Sequence, residues 1–407
     1  MEETVGVINP YALGEIIAGK SIKWGSVTDP QKMLSEILEL KKEEIFDIKN
    51  PILSPHIQVD AKGKTKVLNA AEAKNRLESF LKKHPLRSQV QKLLEVQNVS
   101  AATDASLTKS SVASAVASVA AAVSSKVPWQ PTDKEWVDKG DFFEDYAELD
   151  DPIQGALGNC YLIAALSSVA WARPHIIVNA SRTVPNKLLG KAVPLHSIGF
   201  YKNGSGSAQP VQVTQLTPVA KDSHAWVYAR SNDPTEIWPA VMEKAYAKWK
   251  TGNTTDFPNY SAIGNGGDPA LACAELVRGV RTYKTHSSTS ADDLWSFVRS
   301  HSLSCRTINP MTAWTYASEP SKKNYGSANV VANHAYSVLG WDFYNNEKYV
   351  VLRNPWGTHH ATLDTRSGTW SAYQQPSWIS TPLNSKGVFS MKVATFKQYF
   401  ERTGVAV

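Results

Sequence analysis

One cysteine of this chain stands where a glycine-containing loop meets a long apolar segment. Cys160 follows the loop Gln154–Asn159 and precedes the apolar stretch Tyr161–Ala172, which predicts a buried helix. The start of a helix carries unpaired N–H groups and a partial positive charge, which favour a thiolate over a thiol. The loop glycines allow close approach of a substrate backbone, and the Gln154 amide is a neutral donor suited to an oxyanion. The pattern indicates a nucleophilic thiol; the alternative is a small buried core residue.

A base for this thiol, and a group to orient the base, come from a predicted hairpin. The segments Asn333–Trp341 and Tyr349–Arg353 are rich in aromatic and β-branched residues and are separated by turn residues, so we interpret them as paired strands. With a turn centred near Tyr344, His334 and Asn354 are cross-strand neighbours, provided that no bulge intervenes. The amide oxygen would then fix the imidazole tautomer and aim the other ring nitrogen at the thiol. Taken singly, each residue is more typical of an ordinary strand or turn position than of a catalytic one.

Several segments, in this order along the chain, are similar to the calpain family of papain-like cysteine proteases. The three signature regions of the family are similar to Gln154–Ala170, His334–Gly340 and Arg353–Gly357. Between the first two of these lies Glu236–Lys248, which resembles the family's intervening helix, and the stretch from Gly387 onwards resembles the end of its core. The resemblance covers about residues 130–407. It implies an α+β fold of papain-like, two-lobe type.

The resemblance also implies a role for each residue of the site. Cys160 would be the nucleophile, His334 the base and acid, and Asn354 the residue that orients the imidazole. Gln154 and the backbone N–H of Cys160 would bind the oxyanion, and Trp356 would shield the His–Asn hydrogen bond from water. The reaction would be hydrolysis of protein or peptide substrates through an acyl-thioester. Acyl transfer to an amine and a catalytically silent binding module are the alternatives.

The chemistry so implied needs no cofactor, but calpain cores bind regulatory calcium at two sites. Asp151 and Glu243 match acidic ligands of the first site, which makes a calcium-dependent enzyme the expectation. The second site would lie in residues 358–368, where a single aspartate stands among threonines, histidines and an arginine, so we expect no calcium there. His359 and His360 would point to opposite faces of a strand, which predicts surface histidines and no metal site.

Composition excludes several other classes of protein. The chain has 407 residues, 42% of them hydrophobic, and a net charge of +6 without a basic run, so no nucleic-acid partner is implied. Three cysteines are too few for a disulfide framework. No stretch reaches the roughly 18 apolar residues of a transmembrane helix. The acidic N-terminus lacks a secretory signal, so we expect a cytoplasmic protein, with export by a non-classical route left open.

The first third of the chain has a different character. Residues 1–99 predict a helical region, with helices over Gln31–Phe46, Ala70–Leu81 and Arg87–Val96. Residues 100–126 are almost entirely Ala, Ser, Val and Thr, which is typical of a flexible linker or of a weak alanine-rich helix. The abrupt change in composition suggests a propeptide or regulatory module; a docking or localisation module is the alternative.

The remaining residues predict the two lobes. The first, residues 127–263, would be mainly helical around the Cys160 helix, and the second, residues 268–407, a largely antiparallel sheet that carries His334 and Asn354. The glycine-rich segment 264–267 between them would be a hinge, because glycine absorbs large changes in backbone dihedral angle.

Overall fold

The computed structural model describes most of the chain outside one long central segment. It describes residues 6–81 and 134–407, except 48, 53, 55, 56, 63, 64, 69, 181, 185–193, 222, 253, 318–322 and 373–379. The predicted helix Arg87–Val96 and the predicted linker 100–126 lie outside the described residues.

The N-terminal region contains four described helices and one short hairpin. The helices are α1 (Pro10–Ala18), α2 (Pro30–Leu38), α3 (Lys42–Ile45) and α4 (Ala70–Leu81), and the hairpin pairs β1 (Ile57–Val59) with β2 (Thr65–Val67). The single helix predicted over Gln31–Phe46 is wrong. Glu39 adopts a left-handed conformation with φ of 52°, and the N–H of Leu40 bonds back to Ser35 O, which ends α2 and buries Leu40.

The next part of the chain, residues 134–263, surrounds a buried central helix. Its elements are β3 (Lys134–Val137), α5 (Cys160–Ala172), α6 (Pro174–Ala180), β4 (Arg182–Val184), β5 (Leu195–Phe200), β6 (Gln209–Thr214), β7 (Thr217–Ala220) and α7 (Trp238–Thr251). Helix α5 is buried along nearly its whole length, as its apolar sequence predicts. This part also contains the small antiparallel sheets β4–β5–β6 and β3–β7, which the expectation of a mainly helical lobe did not include.

The last part, residues 268–407, is built on a nine-stranded antiparallel sheet. Its elements are α8 (Pro269–Val277), β8 (Arg281–Thr285), α9 (Ala291–Ser300), β9 (Ser302–Leu303), β10 (Arg306–Thr307), β11 (Met311–Thr315), α10 (Tyr325–Ala328), β12 (Ala335–Tyr344), β13 (Glu347–Arg353), β14 (Thr365–Arg366), β15 (Thr369–Ser371), β16 (Ser380–Pro382), β17 (Val388–Lys392), α11 (Val393–Tyr399) and β18 (Phe400–Ala406). The main strand order is β14-β17-β13-β12-β11-β18-β8, with β9 and β10 attached beside β12. The chain is therefore a fold of mixed helices and antiparallel sheets, as predicted.

Helix α5 packs directly against this sheet. The Ser337 hydroxyl on β12 donates to Ala164 O at 2.8 Å, and the Ser168 hydroxyl of α5 donates to Met311 O on β11 at 2.8 Å. These contacts place the first residue of α5 beside the start of β12. The N-terminal region shares this core, since Val7 and Tyr11 belong to the same buried cluster as Leu162. No helix among the described residues is long and apolar enough to cross a membrane.

Candidate active site

The Cys160 thiol lies at the start of α5 and is completely buried. Backbone N–H groups of Val7, Ala335 and Tyr161 lie around it and lower its pKa, but burial outweighs them and raises the pKa of the thiol to about 11. The N–H groups at the start of the helix therefore act in the predicted direction, but in this closed arrangement burial keeps the thiol protonated. A charge at Sγ would lie where no water reaches it.

His334 and Asn354 form a direct hydrogen bond beside the start of β12 and the end of β13. The two atoms, His334 Nε2 and Asn354 Oδ1, are 2.8 Å apart, so Nε2 is the nitrogen that carries the proton and donates it to the amide oxygen. The other ring nitrogen, Nδ1, has no hydrogen-bond partner among the described residues. The thiol lies beside the N–H of Ala335, the residue that follows His334. Nδ1 is thus the nitrogen left to accept the thiol proton.

The hairpin brings these two side chains together differently from the symmetric pairing that the sequence predicts. Its turn lies at Asn345 and Asn346 and not at Tyr344, and a bulge between Val338 and Gly340 shifts the register. Both residues lie just beyond the strands, since β12 starts at Ala335 and β13 ends at Arg353. The hydrogen bond is therefore made at the open end of the hairpin, where Asn354 Oδ1 also accepts from the N–H of Trp356 at 3.0 Å.

The Trp356 ring packs beside the His334 imidazole. Its centroid is 4.8 Å from that of the His334 imidazole, and 1% of the residue is exposed. Burial lowers the pKa of His334 to about 3, against the opposing effect of the Asn354 hydrogen bond. In this closed form the thiol and the imidazole are both neutral.

The Gln154 side chain reaches the same place from the loop before α5. Its Nε2 donates to Val7 O at 2.5 Å and to Leu157 O at 2.7 Å, and its backbone N–H donates to Pro355 O at 2.9 Å. The structure therefore brings Gln154, Cys160, His334, Asn354 and Trp356 to one site, on elements that are far apart in sequence.

A comparison with known proteins decides the family. A family model described as calpain family cysteine protease matches residues 101–406, which is well over half of the chain. The chain belongs to the calpain family of cysteine proteases.

Individual relatives support a thiol protease function for this calpain-family chain. A thiol protease of Porphyromonas gingivalis is 25% identical, in an alignment that covers 97% of this chain and 86% of the relative. Mouse calpain-9 is 28% identical, covering 67% of this chain and 38% of the relative. The human calpain-1 catalytic subunit is 30% identical, covering 60% and 32%. The chain thus spans most of the bacterial relative but only about a third of these two calpains.

One residue next to the calpain-family site is not among the predicted site residues. The guanidinium of Arg353 is completely buried and donates to Pro152 O at 2.9 Å, to the Ser167 hydroxyl at 2.7 Å and to Asp150 O at 2.9 Å. It thereby joins the end of β13, just before Asn354, to the loop before Gln154. The available signal was a cationic residue that directly follows the apolar strand sequence of residues 349–352.

Among the described residues, the two predicted calcium ligands, Glu243 and Asp151, form hydrogen bonds with different protein groups. Glu243 Oε1 accepts from Asn159 Nδ2 at 2.6 Å, and its Oε2 accepts from the N–H of Ala229 at 3.1 Å. Asp151 accepts from Trp238 Nε1 at 3.0 Å, and burial, followed by the charges of Asp150 and Glu148, raises its pKa to about 6. Glu243 holds the residue that precedes Cys160. In the part of the chain that the structure describes, no group of three His, Cys, Asp or Glu side chains could hold a metal ion.

The histidines beyond the Asn-Pro-Trp-Gly motif also differ from the prediction. His359 is buried, with Nε2 at 3.1 Å from Asn329 O and Nδ1 at 3.4 Å from the Tyr11 hydroxyl. The prediction of a surface residue is wrong for His359, because α1 and Phe46 cover it. His360 is partly exposed.

Glu236 is a further carboxyl group that interacts with Asp151. Burial, and then the charge of Asp151, raise the pKa of Glu236 from 4.5 to about 8. A group whose pKa is raised on folding stabilises the fold fully below its unfolded pKa, and this contribution is lost as the pH rises through the folded pKa. Glu236 should therefore contribute less to stability at pH 8 than at pH 5.

The variant Glu236→Gln tests this, since its amide can keep the contacts that Glu236 makes with the Ser231 hydroxyl and the Glu144 N–H. We expect its free energy of unfolding to fall less than that of the wild type between pH 5 and pH 8, measured by urea denaturation. The exposed Glu43→Gln should follow the wild type. Parallel curves for the wild type and Glu236→Gln would contradict the assignment.

Proposed function

We propose that this chain is a calpain-like cysteine endopeptidase that cleaves protein substrates through an acyl-thioester on Cys160. The observation that carries the proposal is the hydrogen bond from His334 Nε2 to Asn354 Oδ1, with Nδ1 left without a partner among the described residues. In this proposal the Cys160 helix and the sheet belong to two papain-like lobes, and the substrate binds between them.

The proposed first step is attack of the thiol on the scissile carbonyl carbon. His334 Nδ1 takes the thiol proton, Sγ forms the bond to carbon, and the developing oxyanion accepts from Gln154 Nε2 and the N–H of Cys160. Support for the Gln154 role comes from its present contact, because Nε2 already donates to a peptide carbonyl, that of Val7.

The proposed second step breaks the peptide bond. The imidazolium of His334 gives its Nδ1 proton to the leaving amine, and a water molecule then hydrolyses the thioester with His334 as base. Asn354 holds the ring so that Nδ1, and not Nε2, faces the reacting atoms. Trp356 keeps water from competing for that hydrogen bond.

Regulation by calcium stays a separate prediction. Both oxygens of Glu243 already accept hydrogen bonds from protein groups, so this residue does not fit the role of a ligand shared with Asp151. No step of the proposed reaction depends on calcium. The assays below should therefore be run both with calcium and with a chelator, and loss of cleavage in the chelator alone would support the calcium prediction.

The silent binding module remains the second candidate because Cys160 and His334 are both fully buried in this structure. Prolonged incubation with an epoxide probe for cysteine proteases separates the two candidates. For the peptidase we expect modification of Cys160 but not of Cys273, which is equally buried and serves as an internal control, and cleavage of an unfolded protein such as casein.

The variant Cys160→Ala should lose both labelling and cleavage, and His334→Ala should be strongly reduced in both. Absence of labelling and of cleavage in the wild type would favour the silent module. A mass gain on an added amine without cleavage would favour acyl transfer instead.

A further inference from the structure

We propose that residues Gly6–Asn9, here called the strap, occupy the substrate position of the site and hold the enzyme in a closed, inactive form. This inference rests on the proposed function, because it takes the Cys160 site to be the place where substrate is cut. The strap would have to leave before a protein substrate could enter.

The strap binds the group proposed to hold the oxyanion. Val7 O accepts from Gln154 Nε2 at 2.5 Å, while the N–H of Val7 faces the Cys160 thiol. A peptide carbonyl on this donor takes the place that the carbonyl of a substrate would need. Asn9 extends the contact along the same loop, since its Nδ2 donates to Gln154 O at 2.6 Å and its N–H donates to Gly155 O at 3.2 Å.

The strap also fills the space between the two sides of the site. A Cβ built on Gly6 would lie 2.4 Å from Gly158 O and 2.4 Å from the Cα of Gly266, so only glycine fits there. On the other side, Asn333 Nδ2 donates to Gly6 O at 3.3 Å. The strap therefore touches the loop before Cys160, the predicted glycine hinge and the residue before His334.

Elements that follow the strap fasten it to both parts of the protein. Glu15 of α1 forms an ion pair with Arg230 at 3.5 Å, in the part that carries Cys160. Tyr11 and Phe46 pack against the Trp356 ring, with centroids 6.3 Å and 6.1 Å away, in the part that carries His334. If the part that carries Cys160 and the part that carries His334 moved apart, either the Glu15 ion pair or the Tyr11 and Phe46 contacts with Trp356 would break.

The consequence for the chemistry is the exclusion of water. Cys160 and His334 are both 0% exposed, and Val7 is equally buried above them. Transfer of a proton from a thiol to an imidazole creates two charges, which is costly when neither water nor a bound substrate stabilises them. The raised pKa of Cys160 and the lowered pKa of His334 agree with a neutral, resting pair. Displacement of the strap would admit both water and substrate.

The variant Gly6→Ala tests the strap in the full chain. Its methyl group meets backbone atoms of Gly158 and Gly266, so it should weaken docking of the strap while every proposed catalytic side chain stays unchanged. Gly25→Ala is the matched control, because Gly25 lies in the same N-terminal region, is exposed, and has no atom within 4 Å of a built Cβ. Thermal unfolding of both variants checks that they remain folded.

The first readout is the rate at which iodoacetamide alkylates Cys160, located by peptide mass spectrometry. We expect at least about a tenfold increase for Gly6→Ala over the wild type, since alkylation requires local opening. Gly25→Ala should match the wild type, and Cys273 should stay unmodified in all three proteins. An unchanged Cys160 rate in Gly6→Ala would overturn the proposed strap.

Cleavage of casein is the second readout, and it separates this inference from the proposed function. Faster alkylation together with faster cleavage supports both. Faster alkylation without any cleavage, in every variant, supports the strap as a cover but overturns the peptidase. Equal cleavage by the wild type and by Gly6→Ala, despite faster alkylation, would mean that the strap does not inhibit.

Discussion

Replacing His334 by alanine is expected to lower kcat/KM for peptide hydrolysis by about 10²–10⁴-fold, the usual contribution of a general acid–base group. The variant loses the only imidazole that is hydrogen-bonded to Asn354 in the described structure. No proton acceptor then receives the Cys160 proton, and no donor protonates the leaving amine. Oxyanion binding and positioning of the substrate would leave a residual rate.

The measurement is the initial rate of hydrolysis of one peptide substrate over a range of concentrations. His286→Ala is a matched control, because His286 is equally buried in the same part of the chain but bonds to Thr403, away from Asn354. The His286→Ala variant should be less stable than the wild type, but its kcat per folded molecule should be unchanged. A His334→Ala variant that retained more than about a tenth of the wild-type kcat/KM would contradict the acid–base assignment.

A companion variant separates chemistry from positioning. Asn354→Ala keeps the imidazole but removes the oxygen that fixes its tautomer. We expect a smaller fall than for His334→Ala, seen in kcat and not in KM, because the amide holds the base and does not touch the substrate. An equal rise in KM would instead indicate that Asn354 shapes the binding site.

The local chemistry of the site is predictable from sequence because short segments carry it. Helix α5 follows from the apolar run after Cys160, and the two strands before and after the turn follow from their β-branched and aromatic residues. The register of the hairpin does not follow, because neither the bulge between Val338 and Gly340 nor the close approach of Cys305 O to Gly340 can be read from the strand sequences. His334 and Asn354 are still brought together by the loop that contains Trp356.

Contacts between residues that are far apart along the chain could not be predicted from the sequence. The burial of Gly6–Asn9 depends on contacts with residues more than a hundred positions away, and nothing in the composition of these residues marks them as part of a site. The same holds for Glu243, whose partner Asn159 is decided by how α7 packs beside α5. The acidic residues of the sequence suggested a cation site, whereas in the structure both carboxylate oxygens of Glu243 accept hydrogen bonds from protein groups.

Arg353→Met is expected to lower the free energy of unfolding by about 1–3 kcal/mol, the usual cost of leaving buried hydrogen-bond acceptors without their donor. The methionine side chain would fill part of the volume of the Arg353 side chain but would donate no hydrogen bond. The carbonyl oxygens of Asp150 and Pro152 and the hydroxyl of Ser167 would then stay buried without the guanidinium that now binds them. Burial lowers the pKa of Arg353 to about 10, which still leaves it charged at neutral pH.

Equilibrium urea denaturation measures this loss, and Arg366→Met is the comparison. Arg366 lies on β14 in the same sheet, but it is partly exposed and pairs with Asp342, so its loss should cost much less. Arg353→Lys should recover only part of the stability, because an ammonium cannot reproduce the planar fork that reaches several acceptors at once. Since two of these acceptors, Asp150 O and Pro152 O, lie in the loop before Gln154, the folded fraction of Arg353→Met should also react more slowly with the epoxide probe at Cys160. A variant as stable as Arg366→Met would mean that the guanidinium does not hold the two parts of the site together.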